Sequence, residues 1–296
     1  MNKRVYNFNI NKSNLHKGGS EMIRIRTLLD NVGTEHKTIV AKHGLAMYVE
    51  TETLKLIFDC GPDVTAVDNA RLMDTPIQEA DYVILSHSHY DHSGGYPDFV
   101  KSNVKGILYT GPDYFEPKYA YDGVKYTYLG AGFNEEFLDE NRIAHKVCRG
   151  TIQLAKDCWI FSDFPRKYEF ETIPERFVRG QLPNTKRDDF SDEVCLAVDT
   201  AKGLVVVVGC SHPGILNMLE HIYETLQRPI YAVLGGTHLV EANEQRIEQT
   251  IKKMKDMGLK IIGLSHCSGE KAECAANSDE DIYSCHLGVG DCFALE

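Results

Sequence analysis

The sequence predicts an α/β protein, an αββα sandwich with an inserted aromatic-rich subdomain. Three observations carry that reading. The C-terminal third alternates strand, helix, strand, helix, strand. The N-terminal segment runs from strand to strand through short turns. Histidine-rich loops follow apolar, strand-like runs.

In chain order, residues 1–21 are polar and read as an extension; the globular pattern starts near Met22 and runs to residue 296 as one domain. Strands are expected at Ile23–Leu29, Leu45–Glu50, Lys55–Phe58, Tyr82–Leu85, Gly106–Thr110, Leu204–Val208, Ile230–Leu234 and Ile261–Leu264, all rich in Val, Ile and Tyr and bounded by Gly, Asp or Ser. One helix is expected after Pro213, where Ile215, Leu219, Ile222 and Leu226 recur at helical spacing. A second carries Ile247, Ile251 and Met254 and closes at Gly258. From about 109 to 187 aromatics accumulate and periodicity fades, which reads as an inserted subdomain or lid, although aromatics filling a small core account equally for most of them.

The chain has 296 residues, 43% hydrophobic and 25% charged, which excludes a disordered or fibrous protein. No run approaches 18 uncharged apolar residues, so no membrane-spanning helix is expected. A net charge of −11 argues against nucleic acid as a partner and leaves a small-molecule substrate as the expectation. Nine cysteines without a Cys-x-x-Cys pair, and an N-terminus without an apolar signal core, predict reduced thiols in the cytoplasm. Cys267, Cys274, Cys285 and Cys292 crowd the last 30 residues; their spacing matches no tight ligand loop, and small buried hydrophobes are the plainer reading.

The main chemical signal is Ser86-His87-Ser88-His89-Tyr90-Asp91-His92-Ser93-Gly94-Gly95, which follows a strand directly. Neutral imidazoles and a carboxylate are the donors that Zn²⁺, iron or Mn²⁺ require. His87 and His89 alternate and can converge on one ion. Asp91 and His92 can reach a second, or Asp91 can serve as a base. Gly94 and Gly95 are expected to let the chain turn into a helix. Further histidines stand past later strand ends, in Gly209-Cys210-Ser211-His212, Gly236-Thr237-His238 and Ser265-His266-Cys267, where α/β layers place their sites. Asp59, at the end of an earlier strand, can orient the first loop.

The His-x-His-x-Asp-His pattern, with Asp59 before it and His212 and His266 after it, resembles the metallo-β-lactamase superfamily from about Met22 onward. Lys42-His43-Gly44-Leu45, Phe164-Pro165-Arg166, Gly235-Gly236-Thr237-His238-Leu239 and His266-Cys267-Ser268-Gly269 narrow the resemblance to its dihydropterin-(ribofuranosyl)aminobenzene phosphate synthase-like branch. The resemblance implies two divalent metals, zinc first, with iron or manganese as alternatives. It implies His87, His89 and His212 on one ion, and Asp91, His92 and His266 on the other. The slot of the superfamily's bridging aspartate, after Gly209, holds Cys210, which either ligates or leaves the bridge missing; Asp192 is a distant substitute. Asp91 and His238 are the candidate catalytic residues, His238 as a substrate contact. The main expectation is a hydrolase that uses metal-activated hydroxide on an ester or phosphoester. The alternatives are a synthase joining a dihydropterin diphosphate to an arylamine ribofuranosyl phosphate, a non-catalytic metal-binding module, and an iron redox enzyme. Arg166, Lys167 and Arg187 could bind a phosphorylated substrate, and insertion aromatics could stack on a pterin-like ring.

Overall fold

The computed structural model describes residues 23–278 and 281–295; the expected N-terminal extension lies outside them. Two seven-stranded mixed sheets form the body. The first has the order Cys292–Leu295, Ile23–Leu29, Ala46–Glu50, Lys55–Cys60, Tyr82–Ile84, Ile107–Thr110, His145–Val147. The second has the order Tyr283–His286, Ile261–Leu264, Ile230–Gly235, Gly203–Val208, Cys195–Thr200, Cys158–Phe161, Thr151–Ala155. In both, antiparallel pairs on one side give way to parallel pairs on the other.

Side-chain alternation explains the layers. In Gly203–Val208 every residue is buried. Val205 and Val207 face the first sheet, meeting the cluster of Ile25, Met47, Val49 and Phe58. Leu204, Val206 and Val208 face the opposite way, onto Ile215, Leu219 and Ile222 of helix Ile215–Leu226 and onto Ile247, Ile251 and Met254 of helix Glu244–Asp256. A strand with a period of two and both faces covered reads as a continuous apolar run. The outer face of the first sheet packs Ile57, Val83 and Leu85 on helices Thr65–Leu72 and Tyr96–Lys101. The result is an α/β fold in four layers, with three apolar interfaces.

The expected strands and both expected helices are present, their ends agreeing to within two residues. Strands Tyr283–His286 and Cys292–Leu295 were not among the expected strands and complete the edges of the two sheets. Within 109–187, His145–Val147, Thr151–Ala155 and Cys158–Phe161 belong to the two large sheets. Lys118–Tyr121 and Tyr126–Tyr128 join Phe177–Arg179 and Lys186–Arg187 in a separate four-stranded sheet beside the site. Tyr114, Phe115, Phe133 and Phe137 pack with the outer core of the first sheet, while Trp159, Phe164, Tyr168 and Phe170 pack on the helices of the second.

Gly94 and Gly95 have ordinary helical torsions (φ −60° and −76°), so the turn does not need glycine. Space does: a Cβ on Gly95 would lie 2.2 Å from the Cys60 carbonyl oxygen, and one on Gly94 2.5 Å from that of Pro62. No helix among the described residues is long and apolar enough to cross a membrane.

Candidate metal centre

Strand ends from both sheets converge on one cluster. Asp59 ends one strand of the first sheet, and residues 86–92 follow another. Cys210 and His212, His238, and His266 and Cys267 follow three neighbouring parallel strands of the second sheet. Asp59, Ser211, His238 and His266 have φ between 48° and 59°, a left-handed conformation that costs non-glycine residues energy and is concentrated at functional sites.

His87, His89 and His212 form one donor group, with ligand atoms within 4.8 Å of one another. His87 Nε2, His89 Nε2 and both ring nitrogens of His212 are buried with no hydrogen-bond partner. Three buried, unpartnered imidazoles aimed at one point are costly unless they bind something that accepts their lone pairs. Burial, and then neighbouring positive groups, hold all three well below the usual histidine pKa, so they are neutral and ligand-ready at pH 7. The donor set fits a divalent metal.

Asp91, His92, His266 and Cys210 lie alongside. His92 Nε2 is 3.1 Å from both His266 Nε2 and Cys210 Sγ. Asp91 Oδ2 is 3.3 Å from His266 Nε2 and 3.1 Å from His43 Nε2. Burial works against ionisation of Asp91, but His92, His266 and His43 outweigh it and hold the carboxyl well below its usual range. His238 belongs to none of the donor groups. Its ring lies 4.4 Å from that of His212 and 5.7 Å from Phe177 on the cleft wall, and burial lowers its pKa to about 4.

Supporting groups fix these side chains. Asp59 Oδ2 accepts from Ser86 Oγ (2.8 Å) and pairs with His92 Nδ1 (2.6 Å), while Oδ1 accepts from Ser86 N (2.7 Å). Gly209 keeps this corner open, because a Cβ there would sit 2.0 Å from Ser86 Oγ. Carboxylate partners of ligand histidines set ring orientation, and their loss typically weakens metal binding about 10–100-fold. We therefore expect Asp59→Asn to weaken metal binding by roughly that factor in competition with a chromophoric chelator. An unchanged affinity would remove Asp59 from this role.

Asp30 supports the other side: Oδ2 accepts from His266 N (2.8 Å), and Oδ1 lies 2.7 Å from His286 Nε2. Burial lowers the pKa of His286, but Asp30 and then Glu273 outweigh it and raise it to about 9. The charged pair stabilises the fold fully below the unfolded histidine pKa near 6.5, and its contribution is lost as pH rises through about 9. Urea unfolding at pH 6 and pH 9.5 should show a loss on the order of 2 kcal/mol that His286→Gln removes. An identical pH dependence in the variant would contradict this.

Residues unmarked by the sequence pattern complete the site. Lys118, 1% exposed, comes from the four-stranded sheet. Its Nζ lies 2.6 Å from Asp192 Oδ1, 3.1 Å from Asp188 Oδ2 and 4.2 Å from the centre of the Phe190 ring. Phe190 stacks on His212 at 3.7 Å and 15°. Asp192 Oδ2 accepts from Ser88 N, between the two loop histidines. Asp192 is thus occupied by Lys118 and the loop backbone, and is no substitute for a bridging aspartate. Glu193, wholly buried, accepts from Ser211 N; burial, then Asp192, raises its pKa to about 8.

The expected cationic residues lie elsewhere. Arg166 donates to the carbonyls of Pro213 and Asp189, Lys167 pairs with Glu224, and Arg187 donates to the Ile173 carbonyl. Each is held by local partners, away from the cleft lining. The basic residue of the cleft is Arg176, stacked 4.0 Å over Phe177 and paired with Glu241. The cleft holds about 260 Å³ and is also lined by Asn31, His43, Tyr90, His212 and His238. All nine cysteines are free thiols. Of the last four only Cys267 joins a donor group; Cys274 and Cys292 are exposed.

A family model described as the metallo-β-lactamase superfamily matches residues 40–185. A solved structure described as Tm1679, a metal-dependent hydrolase of the β-lactamase superfamily, superposes with a TM-score of 0.77 at 27% identity, covering 93% of this chain and 98% of that one. The match and this structure together support the metallo-β-lactamase superfamily, a class of enzymes, as the one this chain resembles. Within it, the chain is similar to the 7,8-dihydropterin-6-methyl-4-(β-D-ribofuranosyl)-aminobenzene-5′-phosphate synthase of Methanocaldococcus jannaschii. The two are 28% identical over 92% of this chain and 97% of the relative. An uncharacterized protein of the same organism is 29% identical over 89% of this chain and 98% of its own length.

Proposed function

We propose that the chain is a metal-dependent synthase that joins a dihydropterin, carried as its diphosphate, to an arylamine ribofuranosyl phosphate. The observation that carries this reading is the near full-length likeness to the M. jannaschii synthase. It moves the synthase ahead of the hydrolase that the sequence pattern favoured. His87, His89 and His212 would hold one ion, and Asp91, His92 and His266 with Cys210 a second. Zinc suits this histidine-rich set with a thiol best. A divalent metal there supplies positive charge to a departing diphosphate and acidifies water at neutral pH.

The chain's own residues do the rest. Phe177 and the Arg176 guanidinium over it offer a flat face and a positive charge at the cleft mouth, suited to a ring bearing anionic groups. His238, neutral at pH 7, can donate one hydrogen bond to a substrate oxygen. Asp91 orients His43, whose half-exposed ring reaches the cleft. As the carbon–nitrogen bond forms and the carbon–oxygen bond to diphosphate breaks, His43 takes the proton that the arylamine loses.

Phosphoester hydrolysis is the second reading, favoured by the description of the 27%-identical structure as a hydrolase. Diphosphate release from a dihydropterin diphosphate separates the two. The synthase requires the arylamine for release and yields a coupled product. Turnover of a generic phosphodiester, with no coupling, would assign the chain to hydrolysis instead.

A further inference from the structure

Six cysteines of this chain are buried. Cys148 and Cys158 sit between the sheets, Cys195 beneath the helices of the second sheet and Cys60 in the outer core of the first. Cys210 and Cys267 differ. Both line the cleft, and Cys210 Sγ, a His266 nitrogen and Cys267 Sγ lie within 4.8 Å of one another. Cys210 Sγ is also 3.1 Å from His92 Nε2, which is itself 3.1 Å from His266 Nε2. The two thiols therefore share one imidazole neighbour, His266.

Two details suit Cys267 to a place beside a cation. His238 N donates to its sulfur at 3.3 Å, and a backbone N–H aimed at sulfur orients a ligand thiolate as a partner group orients a ligand histidine. Gly236 leaves room for it: a Cβ there would come 2.6 Å from Cys267 Sγ and 3.5 Å from Cys210 Cα. Any other residue at 236 would push the sulfur out of its place beside Cys210.

We propose that Cys210 and Cys267 act as a two-thiolate ligand pair, which makes the His266 side of the cluster selective for a soft divalent cation. The claim rests on the reading of the cluster as a metal centre and extends it to a residue outside the expected ligand set. Binding forms two metal–sulfur bonds and releases two thiol protons to solvent. Thiolates favour Zn²⁺ and Cd²⁺, whereas Mn²⁺ and Mg²⁺ favour oxygen, so the pair separates these ions by ligand softness. The group His87, His89 and His212 contains no sulfur, while Cys210 also lies within 4.8 Å of His87 and His92 and so borders both sides; Cys267 groups only with Cys210 and His266.

The test is a Cd²⁺ titration of the metal-free full-length protein, following thiolate-to-cadmium absorbance and, by equilibrium dialysis, the total Cd²⁺ bound. The parent should show a band that Cys210→Ser and Cys267→Ser each reduce to about half and the double variant abolishes. His212→Ala should leave it intact. The parent should also prefer Cd²⁺ over Mn²⁺, and either serine variant should erode that preference at least about tenfold. A full band in Cys267→Ser overturns the pair. So does loss of the whole band in Cys210→Ser, which decides the matter even if Cys267→Ser does not fold. Dialysis separates the two levels of the claim. Cd²⁺ bound without a thiolate band refutes the pair alone, while no bound Cd²⁺ in the parent refutes the metal centre together with it.

Discussion

Replacing His87 and His89 together by alanine should abolish stoichiometric metal binding and lower activity by at least about 10³-fold, while circular dichroism stays that of a folded protein. Metals contribute several kcal/mol of charge stabilisation to such reactions, and each 1.36 kcal/mol is a factor of ten in rate. The fold should survive because neither side chain holds it together through its outward nitrogen: Nε2 of both is buried without a partner. Removing them leaves cavities and also relieves two unsatisfied polar atoms, so metal-free stability should fall by only about 1–3 kcal/mol. Elemental analysis after purification without added metal is the check. Retention of the parent's metal content in the double variant would sink the assignment of this loop.

The second large effect concerns stability. Lys118→Met should destabilise the protein by about 3–5 kcal/mol, because it leaves Asp192 buried without a cation and Asp188 with only Arg179, 4.0 Å away. Burial lowers the lysine's pKa, but Asp192 and Asp188 outweigh it and keep the ammonium charged. Adding Asp188→Asn and Asp192→Asn to Lys118→Met should recover part of the loss, since a network replaced whole costs less than one broken. A loss below about 1 kcal/mol in the single variant would mean that the carboxylates find other partners or simply take up protons. Metal affinity should fall as well, because the lysine reaches His212 through Phe190, and Ser88 through Asp192.

How far the sequence carried this picture depended on the range of each signal. Unbroken apolar runs announce their strands because burial on both faces demands apolar residues in series, as in Gly203–Val208. The loop from His87 to His92 is local, so its chemistry is readable within six residues. Cys210, His212 and His266 were reachable by topology, each standing at the end of a legible strand. Lys118 and Phe190 were not, since a lysine beside tyrosines looks like a solvated surface until the fold buries it between two aspartates. His43 precedes a strand rather than ending one, and only three-dimensional placement brings it to Asp91. The basic residues failed in the opposite direction: Arg166 and Arg187 look free in the sequence and are engaged by backbone carbonyls in the fold.

The candidate donor atoms come from loops on both sheets. Residues 87–92 belong to the first, and Cys210, His212, His266 and Cys267 to the second. A ribosome completes the early histidine loop some 175 residues before the last donors exist. The candidate donor set is complete only once Ile261–Leu264 is in place beside its neighbours, and the last strand, Cys292–Leu295, closes the edge of the first sheet. A metal held by these groups would tie the first half of the polypeptide to the second, so that a cut between them would leave that tie to be broken before the halves part.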